Sequence, residues 1–177
     1  MKVLVIRFSS IGDIVLTTPV VRCLRKQLPN AQIHYLTKVS YGSLLAHNPN
    51  IDRLWFLHDD LDQIINDLKK EQFDCVIDLH NNLRTLKVRR ALRVKKTWAF
   101  PKLNVRKWVY TNLKWNLMPD ASIVERYFEA VRPLGVRNDG MGLDQYTPPS
   151  QLSNRDIPMS HWGGYVGCVI GASLNTK

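Results

Sequence analysis

The sequence lacks any run of about 18 consecutive apolar residues, so no segment reads as a membrane-spanning helix. It shows no secretory leader either: the apolar run 3–6 follows Lys2 but is broken by Arg7 and the Ser9–Ser10 pair before an apolar core can form. Cysteine is scarce. Cys23, Cys75 and Cys168 lie far apart, form no CxxC, and each sits in an apolar run, as expected of buried thiols in a reducing cytoplasm. Neither GxGxxG nor GxxxxGK[ST] occurs, which argues against a phosphate-cradling first turn. His34, His47, His58 and His161 have no metal-ligand spacing with one another or with acids, so no metal site is expected. Internal repeats and low-complexity tracts are missing too. Finally, no Asp or Glu occurs between Asp78 and Asp120.

That last absence localises the charge. The chain of 177 residues carries a formal net charge of +10, with 45% hydrophobic and 23% charged residues. Those proportions suit a globular domain that can bury a full core. The acid-free interval holds Arg84, Lys87, Arg89, Arg90, Arg93, Lys95, Lys96, Lys102, Arg106, Lys107 and Lys114. A positive field so confined points to an anionic partner: nucleic acid, a membrane surface or a phosphorylated substrate.

Apolar patterning predicts strands over residues 3–8, 32–37, 52–57, 73–79 and 96–100. Helices are predicted over 11–28, 40–46, 61–70, 82–92, 105–117 and 122–134, the last closed by Gly135. Pro19 inside the first helix predicts a kink or a late start. This alternation implies an α/β fold: a Rossmann-like parallel sheet with helices on both faces, the first strand central. Residues 1–135 are read as one domain. Residues 136–164, rich in Gly, Pro, Asp, Asn and Ser, read as a linker. Residues 165–177, an apolar run and a Gly-Ala-Ser turn without the expected following helix, read as the truncated start of a second domain.

In an open parallel sheet, ligands meet the loops at the carboxyl ends of the strands. The first such loop is Ser9-Ser10-Ile11-Gly12-Asp13. Gly12 permits close approach of a ligand or another backbone. Asp13 falls in the first turn of a helix, where the dipole favours its charged form, and a carboxylate there can take a proton from a sugar hydroxyl. The same residues are equally well explained without chemistry, because Ser10-x-x-Asp13 is a capping box.

The segment from Lys2 through Thr37 resembles the opening of the lipopolysaccharide heptosyltransferases, glycosyltransferase family nine. That family begins with a strand, an [ST]-S-x-G-D turn and a Thr-x-Pro element, here Ser9–Asp13 and Thr17–Pro19. The resemblance continues through Val76-Ile77-Asp78-Leu79-His80-Asn81-Asn82-Leu83-Arg84, Ile123-Val124-Glu125-Arg126-Tyr127 and Ile170-Gly171-Ala172-Ser173, in order along the chain. It implies the amino-terminal, acceptor-side domain of a two-domain GT-B enzyme with the active site between the domains. It further implies inverting transfer of heptose from ADP-heptose to the Kdo or heptose residues of the lipopolysaccharide inner core, with no catalytic metal or other cofactor. Asp13 would be the general base, with Ser10 and Gly12 shaping its turn. Ser173 and Lys177 would begin the donor-diphosphate site. The family is about twice as long, so this chain alone is expected to be inactive.

The basic interval admits three readings. It is a solvated face; or it binds nucleic acid, with Trp98, Trp108, Tyr110 and Trp115 available for stacking, in a non-catalytic module; or it recognises an anionic glycolipid. The third is preferred. Arg84 and Lys87, at i and i+3 on the helix after the fourth strand, open on the same strand-end side as Asp13 and suit carboxylate or phosphate. The remaining positive charge, with Trp108 and Trp115, would hold the domain peripherally at the cytoplasmic face of the inner membrane. His80 is read as a loop histidine bonded to backbone, and Glu125 with Arg126 as a structural ion pair or a cap on a facing element.

Overall fold

The computed structural model describes residues 1–103, 111–115, 121–147, 158–161, 163–164 and 166. Five strands form one sheet: β1 (Lys2–Ile6), β2 (Gln32–Lys38), β3 (Arg53–Leu57), β4 (Cys75–Asp78) and β5 (Lys96–Ala99). Their order is β3-β2-β1-β4-β5 and every pairing is parallel. Leu4 is paired with His34 on one side and Val76 on the other. The apolar strand is therefore the central one, and Val3 through Ile6 are fully buried.

Alternation along the strands assigns their side chains to two cores. Val3, Val5, Cys75 and Ile77 face α1 (Ile11–Val15), α2 (Thr18–Gln27) and α5 (Ile123–Phe128) through Ile14, Val20, Leu24, Tyr127 and Val131. Leu4, Ile6 and Val76 face α3 (Leu61–Lys70) and α4 (Leu83–Leu92) through Ile64, Ile65, Leu68 and Val88. Helices thus cover both faces, as the sequence pattern implies. Cys23 and Cys75 are buried in the first of these cores.

Local chemistry adjusts several predicted elements. The long first helix is two helices, broken at Leu16–Thr17 and restarted at Thr18 with Pro19 in the first turn. Proline is tolerated there because first-turn amides need no intrahelical partner. The Thr17 hydroxyl occupies the break, donating to the Ile14 carbonyl at 2.7 Å and lying 2.8 Å from the Tyr35 hydroxyl. The short helix predicted over 40–46 is a 3-10 segment, Val39–Leu44. The predicted helix over 122–134 stops at Phe128 and resumes as a 3-10 turn at Arg132–Leu134, where Pro133 lacks the amide to continue an α-helix. Gly135 closes it with φ 77°. Of the helix predicted over 105–117 only residues 111–115 are described, and 111–113 of these are helical. The strand predicted near 165–170 lies almost wholly outside the described residues.

Two compact units divide the chain, Met1–Tyr146 and Thr147–Lys177. The first therefore includes residues 136–146, which the sequence places in a linker. Three attachments to α2 explain the difference. Gln27 exchanges two hydrogen bonds with the Arg137 backbone, at 2.6 and 3.0 Å. The nearly buried Arg22 binds the Asp139 carboxylate at 2.7 and 3.0 Å, pairs with Asp144, and donates to the Gly142 carbonyl at 2.9 Å. The Asp144 amide donates to the Thr18 hydroxyl at 2.9 Å. A polar, Gly-rich composition reads as a linker, yet the polar groups here have partners on the helix. In the second unit, the described element is a 3-10 turn at Met159–His161.

The Arg22 guanidinium, through its hydrogen bonds, holds the Asp139 carboxyl far below the usual carboxylate range. A depressed carboxylate stabilises the fold above its unfolded value and loses that contribution as pH falls through the folded one. The thermal midpoint is therefore expected to fall as pH drops below about 4. Asp139→Asn should lower the midpoint at neutral pH and flatten this acid limb. Arg22→Ala, which orphans two carboxylates, should cost about 2–3 kcal/mol in urea denaturation.

Candidate functional site

In the order β3-β2-β1-β4-β5 the connections leave in opposite directions from β1 and β4, so the topological switch point lies between these strands. In open α/β sheets the crevice beyond their carboxyl ends is where ligands bind. Two loops meet there: residues 7–10 after β1 and residues 79–82 after β4.

Arg7 joins them. Its side chain is only 8% exposed. Its Nε donates to the Ser9 carbonyl and its Nη1 to the Leu79 carbonyl, each at 2.6 Å. Its Nη2 pairs with Asp13 Oδ2 at 2.5 Å, and its guanidinium carbon stands 5.8 Å from the centre of the Tyr127 ring. Every face of the guanidinium is engaged, so it is a fixed positive charge at the end of the central strand.

Asp13 sits at the third position of α1, with Ser10 as the N-cap. Its Oδ2 accepts from the Ser10 hydroxyl at 2.9 Å and the Ser10 amide at 3.3 Å. The bond from the Ser10 amide is the returning half of a capping box, so the structural role read from Ser10-x-x-Asp13 is realised. The Ser10 hydroxyl is spent on the carboxylate. Burial pushes the Asp13 carboxyl up, but the Arg7 charge and the Ser10 hydrogen bonds prevail and hold it below its ordinary value. Among the described residues, its hydrogen bonds and ion pair all fall on Oδ2. Oδ1 is left for another donor, on a side chain that remains 33% exposed.

Gly12 is not required by the fold. A Cβ added there would meet nothing within 4 Å, and the residue does not occupy positive φ. The neighbouring Ile11 is 59% exposed. His80 is on the other loop, its ring 5.6 Å from that of Phe8. Burial, then the Arg7 and Lys102 charges, push its imidazole down to about 4. It is a neutral group beside the carboxylate, and among the described residues its buried Nδ1 has no hydrogen-bond partner.

The turn after β4 is built by Asp78, which is fully buried. Its Oδ1 accepts from the amides of His80 at 2.9 Å and Asn81 at 2.7 Å, while Arg89 Nε stands 3.1 Å from Oδ2. This turn launches α4 and the two cations singled out above. Arg84 lines a cavity of about 520 Å³ with Lys38, Ser40, His58 and Asp59, at the carboxyl ends of β2 and β3. Lys87 goes elsewhere: it pairs with Asp62 of α3 at 2.7 Å and lines a separate groove. One turn of helix separates them, but they do not converge on one anion. Glu125 bonds the Ser122 amide at 2.6 Å as a capping box, and Arg126 donates to the Pro101 carbonyl at 2.6 Å; they do not pair with each other. Ser173 and Lys177 lie outside the described residues, as do Trp108 and Tyr110. Trp98 packs against the core and Trp115 is 67% exposed. Among the described residues, no group of three or more His, Cys, Asp or Glu is placed to hold a metal ion.

Sequence reasoning missed Arg7 as a site residue, noticing it only as a break in an apolar run. Its signal was its position: a lone cation ending a strand buried on both faces, with the turn directly behind it.

No protein-family model matches the sequence. Among curated proteins, lipopolysaccharide heptosyltransferase 1 of Campylobacter coli is 25% identical over 165 residues, covering 88% of this chain and 46% of that protein. Among solved structures, a glycosyl transferase of family 9 from Veillonella parvula matches with a TM-score of 0.63 at 22% identity, over 81% of this chain and 45% of that one. The E. coli heptosyltransferase WaaC, solved with ADP-2-deoxy-2-fluoro heptose, matches with a TM-score of 0.64 at 16% identity, over 81% of this chain and 51% of that one. The chain spans about half the length of the proteins it matches. The resemblance carried by the Ser9–Asp13 turn is thus to heptosyltransferases in sequence, and the parallel sheet has the fold of family-nine glycosyltransferases.

Carbon-detected titration of the Asp13 carboxyl should give a value below that of an ordinary aspartate. Arg7→Met should move it upward, since burial then acts unopposed. The His80 ring-proton shift should stay flat from pH 8 to about 5, then move with protonation. A midpoint near the ordinary histidine value would contradict its described environment.

Proposed function

We propose that this chain is the acceptor-side half of an inverting, metal-independent glycosyltransferase. The complete enzyme transfers heptose from ADP-heptose to the Kdo or heptose residues of the lipopolysaccharide inner core, working peripherally at the cytoplasmic face of the inner membrane. The observation that carries this reading is the Asp13 carboxylate: held below its ordinary pKa, partly exposed, and with its described hydrogen bonds and ion pair all on Oδ2, at the switch point of the sheet.

The chemistry follows from that asymmetry. The acceptor hydroxyl approaches over Gly12, where no side chain intervenes, and donates a hydrogen bond to Oδ1. Its oxygen bonds to the anomeric carbon of the heptose as the bond from that carbon to the ADP oxygen breaks; ADP leaves with the electron pair and configuration inverts. The hydroxyl proton passes to Asp13. A carboxylate held at a low pKa is a weak base, so this proton moves late, when the forming glycosidic bond has made the hydroxyl acidic. Arg7 and Ser10 keep the carboxylate charged and oriented. The neutral His80 adds no positive charge that would compete for the acceptor. Arg84, in its cavity with Lys38 and His58, supplies a cation for an acidic sugar or a phosphate. In this reading the donor diphosphate is met by a second domain, beginning with Ser173 and Lys177, an assignment supported by the sequence resemblance alone.

In the complete enzyme, Asp13→Ala should lower turnover by about 10²-fold to 10⁴-fold or more and also lower the melting temperature, because it orphans the buried Arg7 charge. Asp13→Asn, which keeps an oxygen to accept from Ser10, should lose turnover as severely with a smaller loss of stability. Normal turnover in either variant removes Asp13 as the base. Gly12→Ala separates site from scaffold: the melting temperature should hold or rise, since alanine is the better helix former by about 1 kcal/mol, while acceptor KM rises. The 177 residues alone should give no transfer.

A further inference from the structure

The outer face of the α3–α4 pair carries a groove that the proposed chemistry does not use. It has a volume of about 820 Å³ and is lined by Leu83, Leu86, Lys87, Arg90 and Arg93 of the α4 segment and Lys69 of α3. On α4 the spacing 83, 86, 87, 90 places these side chains on one stripe. Leu83, the first residue of the helix, is 85% exposed, more than any other leucine among the described residues. Among the described residues, Lys69, Arg90 and Arg93 form no ion pair. The one acid at the rim, Asp62, is engaged by Lys87. The result is a shallow apolar strip bordered by uncompensated cations.

We propose that this groove is the surface by which the domain docks on an anionic phospholipid bilayer, with Leu83 entering the headgroup layer and Lys69, Arg90 and Arg93 meeting lipid phosphates. The proposal deepens the peripheral location stated above and rests on that reading for its biological setting, but its physical basis is the groove. Charge complementarity selects the occupant. A protein partner would be expected to bring acids to each unpaired cation around a closed apolar patch, whereas a bilayer needs only dispersed cations and a residue that penetrates the interface. A single-stranded nucleic acid would use aromatic platforms, and no aromatic side chain lines the groove. Of the tryptophans assigned to this role from sequence, Trp115 does not line the groove and Trp108 lies outside the described residues. The geometry also suits the reaction. Leu83 follows the β4 turn, so the groove begins at the strand-end edge that carries Asp13, and a bilayer lying along α4 would present lipid-anchored sugars to that edge.

The test is co-sedimentation of the 177-residue chain with vesicles of phosphatidylcholine alone or mixed with phosphatidylglycerol. Binding is expected only to the mixed vesicles and should weaken with added salt. Arg90→Glu with Arg93→Glu should reduce the partition coefficient by about tenfold or more, and Leu83→Gln should reduce it at unchanged net charge. Arg132→Glu with Arg137→Glu, the same change in net charge on the other side of the sheet, should have a much smaller effect. Equal loss in both double variants, unchanged binding in Leu83→Gln, or no binding to either vesicle would overturn the proposal. So would salt-sensitive binding to a single-stranded oligonucleotide that Arg90→Glu with Arg93→Glu abolishes while vesicles are ignored. None of these readouts involves sugar transfer, so failure here leaves the Asp13 reading to stand or fall on turnover.

Discussion

A guanidinium withdrawn almost wholly from water at the end of the central strand is the constraint on which the site depends. Arg7 cannot sit at the end of β1 uncompensated, because burying an unpaired charge costs more than the fold can spare. Its partners are therefore obligatory, and they are the parts of the site: the Ser9 carbonyl of the first turn, the Leu79 carbonyl of the β4 turn, and the Asp13 carboxylate. One side chain sets the gap between the two loops of the switch point and the protonation state of the acid between them. The Tyr127 ring beneath it extends the same constraint to α5.

The capping box and the catalytic carboxylate looked like rival readings of Ser10-x-x-Asp13. In the structure the capping-box contacts occupy one oxygen. Oδ2 takes the Ser10 amide, the Ser10 hydroxyl and Arg7, and among the described residues no such contact falls on Oδ1. A carboxylate that anchors its own helix is held more rigidly than one on a free side chain. The cost is basicity, which suits a reaction in which the hydroxyl becomes acidic only as its new bond forms.

Much of the frame was legible in the sequence because periodicity reports burial. The run at 3–6 with apolar residues at both parities announced a central strand, and the helix predicted over 61–70 has those bounds in the structure, with Asp60 capping its start and Lys69 and Lys70 in its last turn. What was not legible depended on contacts between distant residues. The attachment of residues 136–146 rests on Arg22, more than 100 residues earlier, so composition alone made it a linker. Lys87 reads in the sequence as a second acceptor-binding cation, and its pairing with Asp62 on the preceding helix is a contact no local pattern shows. The strand order that creates the switch point is a property of the whole sheet and is carried by no single motif. The Ser9–Asp13 turn, by contrast, was both locally predictable and functionally suggestive, and the similarity to heptosyltransferases gives it its chemical meaning.

The central claim is that these residues form the acceptor side of the active site. Amide chemical-shift mapping on the labelled chain tests it most directly, using a soluble Kdo-containing oligosaccharide in one titration and ADP in another. The oligosaccharide should shift Ser10, Gly12, Asp13 and Arg84 together, and ADP should leave them unmoved. Shifts at these residues with ADP, and none with the oligosaccharide, would contradict the assignment of this half to the acceptor.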